Sequence, residues 1–362
     1  MIEAPMFKPF TLREMTINNR LVMSPMCQYS AVDGTVNEWH LVHLGSRATG
    51  GTGLIITEMT DISPEGRISR GCAGIYKPEH VDPWKRVVDF VHEHSEAKIA
   101  IQLAHAGRKA SCEVVWKGGG PLPENQAWDI LSPSPIAFSS TSQIPHEMSQ
   151  NDIDRLVAAF AQGARWADEA GFDMIEIHGG HGYLISSFIS PLSNTRKDRY
   201  GGPLDGRMRF PLEVFHAIRD NWPEEKPISM RISAYDWVDG GTEVDDAVKI
   251  AKILKAAGLD IIDVSSGNVT DGPRPRAEGL FQTPFSERIR KEAEIPTMTV
   301  GNVGGPRQIN EIIANGRADL CCMAKGQIFD PYFAHHSAAA LEIDDYLWPK
   351  QYQAARFFTP VD

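Results

Sequence analysis

The chain has 362 residues, of which 42% are apolar and 23% are charged, and its formal net charge is −11. This length suits one large barrel domain, and the apolar content is sufficient to fill its core. The negative charge disfavours binding to nucleic acid, and no apolar run is long enough to cross a bilayer, so neither a nucleic acid nor a membrane is expected as a partner.

The N-terminal residues lack the basic and then apolar pattern of a signal peptide. The five cysteines are an odd number and lack metal-ligand spacing: Cys27, Cys72, Cys112, Cys321 and Cys322. We therefore expect free thiols in a reducing, cytoplasmic compartment, with the adjacent Cys321 and Cys322 buried in their apolar run.

Short apolar segments rich in β-branched residues recur along the chain and are typical of parallel strands covered on both faces. In chain order they span 20–26, 53–59, 98–104, 173–178, 227–233, 260–265, 295–301 and 318–324. Helical patterns fill the intervals, and the clearest of them, 149–171, begins at a capping box of Ser149 and Asp152. The segments 244–258 and 306–316 are also predicted as helices, and each ends at a glycine.

Eight strands alternating with helices predict the α/β class and a (β/α)8 TIM barrel, as a single domain over residues 1–362. A doubly wound open sheet is the alternative, but it should carry a GxGxxG turn after its first strand, where this chain has RLVMSPMCQYS. A stretch at about 112–143, rich in Gly, Pro and Ser, is predicted as a long loop, and about 344–362 as a C-terminal tail.

Polar residues follow the predicted strands at the end where barrel enzymes carry their active sites. In chain order they are Cys27, Gln28, Tyr29, Thr57, Thr60, Gln102, His105, His178, Arg231, Ser265, Ser266, Gly267, Gly301, Asn302, Ala324 and Lys325. Arg231 is informative because a buried guanidinium needs an anionic or strongly polar partner, and the sequence indicates no carboxylate adjacent on its face. We therefore expect Arg231 to face a ligand.

Glycines after the sixth and seventh predicted strands would leave backbone N–H groups accessible to an anion. These glycines are Gly267, Gly301, Gly304 and Gly305. Lys325 adds a positive charge after the eighth strand, and a helix beginning near Pro306 adds the positive end of its dipole. Together they favour a cofactor that carries a phosphate.

The segment EIHGGHGYLISSF brings together His178, His181 and Tyr183. A metal site would need about three ligands, with Glu176 as the nearest carboxylate, but no HExxH motif or cysteine pair accompanies the histidines, and no metal is expected. Structural histidines are a second possibility. The third possibility is substrate binding, in which two imidazole N–H donors hold the developing negative charge of one substrate oxygen and Tyr183 donates a proton. That chemistry requires a redox cofactor with a phosphate and an electron-accepting ring.

Four segments resemble, in this order, the Old Yellow Enzyme family of FMN-dependent ene-reductases: MSPMCQYSAVDGTVNEWH, IQLAHAGRKAS, EIHGGHGYLISSFISPLSNTRKDRYGG and MRISAYDW. The resemblance extends from about Phe7 to Arg356, and the cysteine in MCQYS is similar to the thermophilic-like, xenobiotic reductase branch. It implies tightly but non-covalently bound FMN, NADPH or NADH as reductant, and a homodimer or homotetramer. The implied substrates are activated alkenes: enones, enals, nitroalkenes and maleimides.

The resemblance also implies roles for matching positions. The FMN would be held by Ser24, Pro25, Met26, Cys27, Met59, Gln102, Arg231, Gly267, Gly301, Asn302, Ala324 and Lys325. In the implied ping-pong reaction NAD(P)H reduces the flavin and leaves, and the alkene then takes a hydride from flavin N5 at its β-carbon. His178 and His181 would hold the substrate oxygen, and Tyr183 would protonate the α-carbon. Tyr29 would contact the substrate, and the Cys27 thiol would tune the flavin.

Three features depart from the family pattern. Ala324-Lys325 stands where Gly-Arg is common, and lysine lacks the planar fork of arginine. Arg356 is an approximate match to an arginine that enters the active site of a neighbouring subunit. The loop with Arg274 and Arg276, together with DVSSG and RADLCCMA, resembles the reductase-like domain of flavin oxygenases acting on aromatic acyl-CoA esters. It implies, as an alternative, an anionic or acyl-CoA thioester enoyl or aromatic substrate, whereas the simpler interpretation, which we favour, is that Arg274 and Arg276 are two solvated loop arginines.

Two other functions fit a barrel of this kind. An aldolase would need a lysine inside a strand to form a Schiff base, but Lys98 begins the third predicted strand and Lys325 ends the eighth. A non-catalytic barrel that binds a flavin or a metabolite would tolerate replacement of His178, His181 and Tyr183 without a change in turnover.

Overall fold

Eight parallel strands close into a barrel in the computed structural model, which describes residues 4–272, 278–343 and 346–357. The strands are β1 (Leu21–Met23), β2 (Leu54–Asp61), β3 (Lys98–Ala104), β4 (Met174–Gly179), β5 (Ile228–Ser233), β6 (Ile261–Ser265), β7 (Thr297–Thr299) and β8 (Leu320–Met323). Each strand pairs with the next along the chain, and β8 pairs with β1. Every predicted strand segment overlaps one of these strands, so the predicted (β/α)8 barrel is confirmed.

A helix of eight or more residues follows each strand in the described part of the chain. These helices are α1 (Glu38–Thr49), α2 (Val81–His94), α3 (Gln150–Glu169), α4 (Arg209–Arg219), α5 (Val244–Ala257), α6 (Thr283–Ala293), α7 (Pro306–Ala314) and α8 (Phe333–Ala340). Shorter helices lie at Leu184–Ile189, Leu204–Arg207 and Lys325–Phe329, and a 3-10 helix lies at Lys350–Phe357.

The predicted start of α3 and end of α5 are present, whereas the helix predicted over 306–316 ends at Ala314, with Asn315 and not Gly316 as its C-cap. Ser149 Oγ accepts a hydrogen bond from the Asp152 amide, and the Asp152 carboxylate accepts one from the Ser149 amide at 2.9 Å, which is the expected capping box. Helix α5 ends at Gly258, whose φ of 103° lies in the left-handed region that favours glycine.

The main apolar core lies between the strands and the surrounding helices, and Trp84, Phe160 and Phe215 are fully buried in it. A second cluster fills the N-terminal half of the barrel interior. An antiparallel hairpin of Phe10–Leu12 and Met15–Ile17, which the sequence analysis did not predict, packs onto this second cluster. The N-terminal end of the barrel is therefore closed by apolar contacts.

The predicted long loop after β3 contains short elements and lies against the segment after β2, where Trp128 Nε1 donates to the carbonyl oxygen of Glu65 at 3.0 Å. Leu131–Ser132 pairs with His146–Glu147 in parallel, and 3-10 turns occur at Gly107–Lys109 and Val115–Lys117. The loop therefore forms a defined wall beside the C-terminal end of the barrel.

Two further sequence expectations concern bilayer spans and cysteines. Within the described ranges, no helix is both long and apolar enough to span a bilayer. All five cysteines are free, and Cys321 and Cys322 are buried in β8, as expected.

Candidate active site

The carboxyl ends of the strands carry the predicted site residues, so the barrel brings them to the same end of the molecule. The segment after β1 carries Ser24, Pro25, Met26, Cys27 and Tyr29. The C-terminal halves of β2 to β5 carry, in order, Met59, Gln102, His178 and Arg231. The segments after β6, β7 and β8 carry Gly267, then Gly301 and Asn302, then Ala324 and Lys325. The alternation of strand and helix was enough to predict this grouping.

A sharp turn after β4 packs three aromatic rings together. The ring centroid of His178 lies 5.2 Å from that of His181 and 5.0 Å from that of Tyr183, in edge-to-face arrangements. His181 and Gly182 both have positive φ angles, 60° and 72°. A Cβ atom on Gly182 would lie 2.6 Å from the carbonyl oxygen of Asn268, so the turn requires glycine there.

The turn holds its three ionisable side chains in neutral forms. Desolvation and the nearby Arg231 guanidinium lower the pKa values of His178 and His181 well below the ordinary range. Desolvation raises the pKa of Tyr183 well above its ordinary value, so the phenol keeps its proton. Neutral imidazoles and a protonated phenol can all donate hydrogen bonds.

The two histidines differ in their partners. His181 Nε2 lies 2.7 Å from Ser265 Oγ, so one of its ring nitrogens is already engaged at the end of β6. His178 Nδ1 is buried and has no hydrogen-bond partner among the described residues. An orphaned buried nitrogen is costly unless a ligand satisfies it, which fits a bound substrate or cofactor at this place.

Lys109 connects this turn to the segment after β6 by hydrogen bonds, and Arg108 binds the same segment. Lys109 Nζ donates to the carbonyl oxygens of His181 at 2.8 Å and Asn268 at 3.1 Å, and it lies 4.8 Å from the centre of the Tyr183 ring. Arg108 donates to the carbonyl oxygen of Val269. The sequence analysis assigned neither residue a role, because a lysine or arginine in a loop gives no signal of its partner.

Arg231 has a carboxylate neighbour, and the expectation that it lacks one is wrong. Arg231 Nε lies 3.2 Å from Asp263 Oδ2, and Arg231 Nη1 donates to Ser24 Oγ at 3.2 Å. Asp263 is the register partner of Arg231 on the adjacent strand, so both side chains share the barrel interior. An acidic residue within an apolar strand segment indicates a buried carboxyl at Asp263, but its pairing with Arg231 depends on the strand register, which the sequence does not show.

Gln102 and Glu176 form a second buried polar group. Gln102 Nε2 donates to Glu176 Oε1 at 2.8 Å, and the Ser229 hydroxyl lies 3.1 Å from Glu176 Oε2. Burial, followed by the charge of Asp263, raises the pKa of Glu176 to about 8. The sequence analysis considered Glu176 only as a metal ligand. In the described residues no group of three or more His, Cys, Asp or Glu side chains could hold a metal ion.

Cys27 and Tyr29 form the wall of the site that faces β2. Both pack with Met59 and Tyr183 on one apolar cluster, and Met59 follows a register shift in the pairing of β2 with β3. Desolvation raises the pKa of Cys27 well above its ordinary value, so it is a thiol and not a thiolate. Tyr29 also lines a groove of about 360 Å³ with Trp116 and other residues of the β3 loop.

Backbone with positive φ marks the predicted phosphate end. Gly267 has a φ of 72°, Gly301 of 107° and Asn302 of 55°. A Cβ atom on Gly301 would lie 2.7 Å from Gln282 Nε2, whose amide donates to the Val300 carbonyl oxygen. Asn302 and Lys325 are exposed at the rim. A side chain at position 301 would therefore collide with Gln282 and Phe281, so glycine is needed to keep the main chain after β7 in the conformation that the predicted phosphate site requires.

Three predicted arginines cannot be placed at this site. Arg274 and Arg276 lie outside the described residues. Arg356 belongs to the helix Lys350–Phe357, but its side chain also lies outside what is described. A further groove, of about 840 Å³, includes Asn19, Gly53 and Ala97 just before β1, β2 and β3, and is therefore at the other end of the barrel.

Comparisons with known proteins agree with this architecture. A family model described as "NADH:flavin oxidoreductase / NADH oxidase family" matches residues 5–343. The NADPH dehydrogenase of Geobacillus sp. (strain WCH70) is 46% identical over 342 residues, which cover 94% of this chain and 95% of that protein. The NADPH dehydrogenase of Clostridium acetobutylicum is 41% identical over 352 residues, or 96% of this chain and 98% of that protein.

Solved structures share the fold. Morphinone reductase in complex with tetrahydroNAD has a TM-score of 0.78 at 25% identity, covering 92% of this chain and 90% of that chain. A complex of 2-naphthoyl-CoA reductase with 2-naphthoyl-CoA has a TM-score of 0.83 at 23% identity, covering 94% of this chain and 53% of that chain, and it shows the fold alone.

The sequence matches extend over all eight strands and the loops that carry the site. They confirm the resemblance to the Old Yellow Enzyme family. The chain therefore belongs to the NADH:flavin oxidoreductase / NADH oxidase family, and it is an NAD(P)H-dependent flavin oxidoreductase.

Proposed function

We propose that this enzyme binds FMN and reduces the C=C bond of an alkene activated by a carbonyl or nitro group, with NAD(P)H as the reductant. The observation that carries the proposal is the turn after β4. There the ring centroid of His178 lies 5.2 Å from that of His181 and 5.0 Å from that of Tyr183, and these residues are two neutral imidazoles and a protonated phenol. Such a set of donors suits the polarisation of a substrate oxygen and the protonation of a nearby carbon.

The residues at the strand ends fit a flavin with a phosphate. Arg231 supplies a buried positive charge and Gln102 a buried amide, both suited to the polar edge of the ring system. When bound, FMN supplies the hydride chemistry, taking a hydride from NAD(P)H and giving it to the β-carbon of the alkene. We assign the ring contacts to Ser24, Pro25, Met26, Cys27, Met59, Gln102 and Arg231, and the phosphate contacts to Gly267, Gly301, Asn302, Ala324 and Lys325.

The β4 turn would act on the substrate in two ways. Hydrogen bonds from His178 and His181 would hold the substrate oxygen where negative charge develops, and such bonds are strongest in a site that excludes water. Tyr183 Oη would deliver its proton to the α-carbon of the alkene. Tyr29, which packs on the same apolar cluster as Tyr183, would contact the substrate, and the neutral Cys27 thiol would tune the flavin without acting as a nucleophile.

The test begins with the purified protein, which should be yellow. Its flavin absorbance should bleach when NADPH is added anaerobically and return when cyclohexenone follows. Colourless protein that takes up no added FMN would contradict the proposal.

The His178→Ala variant separates the roles of the site. It should bind cyclohexenone and simple phenols at least 10-fold more weakly, because one oxygen-binding donor is lost, with flavin reduction by NADPH nearly unchanged. His336→Ala, a change at an exposed histidine on α8, is the matched control and should leave both steps unchanged. Loss of flavin reduction in His178→Ala would place the histidine in a different role.

A further inference from the structure

A row of buried polar side chains crosses the barrel interior from β3 to β6. Strand register pairs Gln102 with Glu176, Glu176 with Ser229, and Arg231 with Asp263. All five residues are 7% exposed or less. Gln102 and Ser229 hydrogen-bond Glu176, whereas Arg231 Nε and both Asp263 oxygens have no hydrogen-bond partner among the described residues and meet only as an ion pair. Buried groups of this kind are costly, so the charge of each one depends strongly on its neighbours in the row.

The row holds two carboxyl groups and one guanidinium. If both carboxyls were ionised, the row would carry one net negative charge in a place sheltered from water, which is unfavourable. The contacts separate their roles. Asp263 lies 3.2 Å from Arg231 Nε, whereas the hydrogen-bond partners of Glu176 among the described residues are the uncharged Gln102 amide and Ser229 hydroxyl. Burial raises the pKa of Asp263 too, but the Arg231 guanidinium at 3.2 Å opposes that shift, so we take Asp263 as the ionised partner and Glu176 as the group that holds a proton.

The surroundings of Glu176 agree with this assignment. Burial raises its pKa to about 8, and the negative charge of Asp263 acts in the same direction against the opposing Arg231. The Ser229 hydroxyl can donate to an ionised Glu176 or accept from a protonated one. The Cys322 thiol of β8 stays neutral, because burial, followed by the nearby carboxyls of Asp263 and Glu176, raises its pKa well above the ordinary value. The two histidines of the turn are neutral as well.

We propose that Asp263 and Glu176 are positioning residues that together set how much positive charge Arg231 presents to the bound flavin. Asp263 holds the guanidinium and offsets part of its charge, and Glu176 adds a second negative charge only when it loses its proton. The inference rests on the proposed FMN site beside Arg231. Reduction of the flavin adds negative charge next to this row, so each negative charge in the row lowers the midpoint potential.

The experiment measures the midpoint potential of the bound flavin anaerobically from pH 6 to pH 9.5, in the wild type and in Asp263→Asn and Glu176→Gln. Asp263→Asn should raise the potential at every pH. Glu176→Gln should match the wild type at pH 6, where Glu176 is protonated, and lie above it at pH 9.5, where Glu176 is ionised. Asp319→Asn is the matched control, because Asp319 is a buried carboxylate paired with Arg290 just before β8, at the opposite end of the barrel. It should leave the potential unchanged.

A second measurement keeps the inference testable if Asp263→Asn folds poorly. The redox-difference infrared spectrum of the wild type should contain a protonated carboxyl band at pH 7 that is missing in Glu176→Gln. Potentials of Glu176→Gln that follow the wild type at all pH values, together with the absence of that band, would overturn the inference while FMN binding and turnover persist. Failure of the proposed function has a different signature, since the wild type would then take up no FMN.

Discussion

At the scale of the residue, burial decides which site groups are charged. The barrel end keeps His178, His181, Tyr183 and Cys27 neutral, because each group is buried and its charged form would lack the hydration that water provides. The cationic Lys109 and Arg231 supply positive charge beside them without any need for proton uptake. In the proposed function, these groups would stabilise a substrate oxygen that gains negative charge, and the Tyr183 phenol would supply the proton.

Tyr183→Phe should slow the alkene half of the reaction and spare the other half. The change removes only the proton donor, and a positioned general acid contributes roughly 10²- to 10⁴-fold to a rate. Stopped-flow measurement of flavin reduction by NADPH and of flavin reoxidation by cyclohexenone would compare the two halves. The outcome against the proposal is an equal loss in both half-reactions, because that would indicate a disturbed flavin and not a missing proton.

The expectation that a charged residue inside an apolar strand needs a partner identified Arg231 but did not identify Asp263 as that partner. Arg231 was recognised because a charge inside an apolar strand needs a partner. Asp263 satisfied that need, but its pairing with Arg231 depends on the register between β5 and β6, which the sequence does not show. The groups in the β4 turn were easier to predict, since a short turn brings His178 and His181 together whatever the neighbouring strands do.

At the scale of the element, strand cores were predictable and strand ends were not. The segment 98–104 coincides with β3, but 295–301 shortens to Thr297–Thr299 in β7. Pro296 has no N–H group to donate at one end, and Gly301 with its φ of 107° turns the chain at the other. The N-terminal hairpin has strands of only three residues, which is too short for an alternating pattern to be recognised.

Ser149→Ala should destabilise the protein by about 1 kcal/mol, because the side chain caps the first turn of α3 and its loss leaves an amide without a partner. Urea unfolding followed by circular dichroism, with FMN at saturation, would measure the change. Asn151→Ala is the control, since Asn151 is exposed in the same helical turn and should change stability by less than about 0.5 kcal/mol. Equal effects of the two changes would mean that the cap contributes nothing.

At the scale of the whole molecule, the two ends of the barrel have different compositions. The N-terminal half of the interior is apolar and covered by the hairpin, whereas the C-terminal half holds the polar row and the β4 turn. This division is the usual one for barrel enzymes, in which stability and chemistry reside at opposite ends. Changes at the hairpin should therefore alter stability without altering the flavin site.

Leu12→Ala tests that separation. Leu12 is 6% exposed and packs on the apolar interior beneath β1 and β2, so its truncation should cost about 2–3 kcal/mol through lost burial and a residual cavity. Urea unfolding would show a lower midpoint, while the flavin spectrum and the turnover of cyclohexenone at 25 °C should match the wild type. Glu14→Ala, at the exposed tip of the same hairpin, should change neither quantity. A loss of flavin affinity in Leu12→Ala comparable to its loss of stability would show that the two ends are coupled, because packing at the hairpin would then set the spacing of the strand ends that form the site.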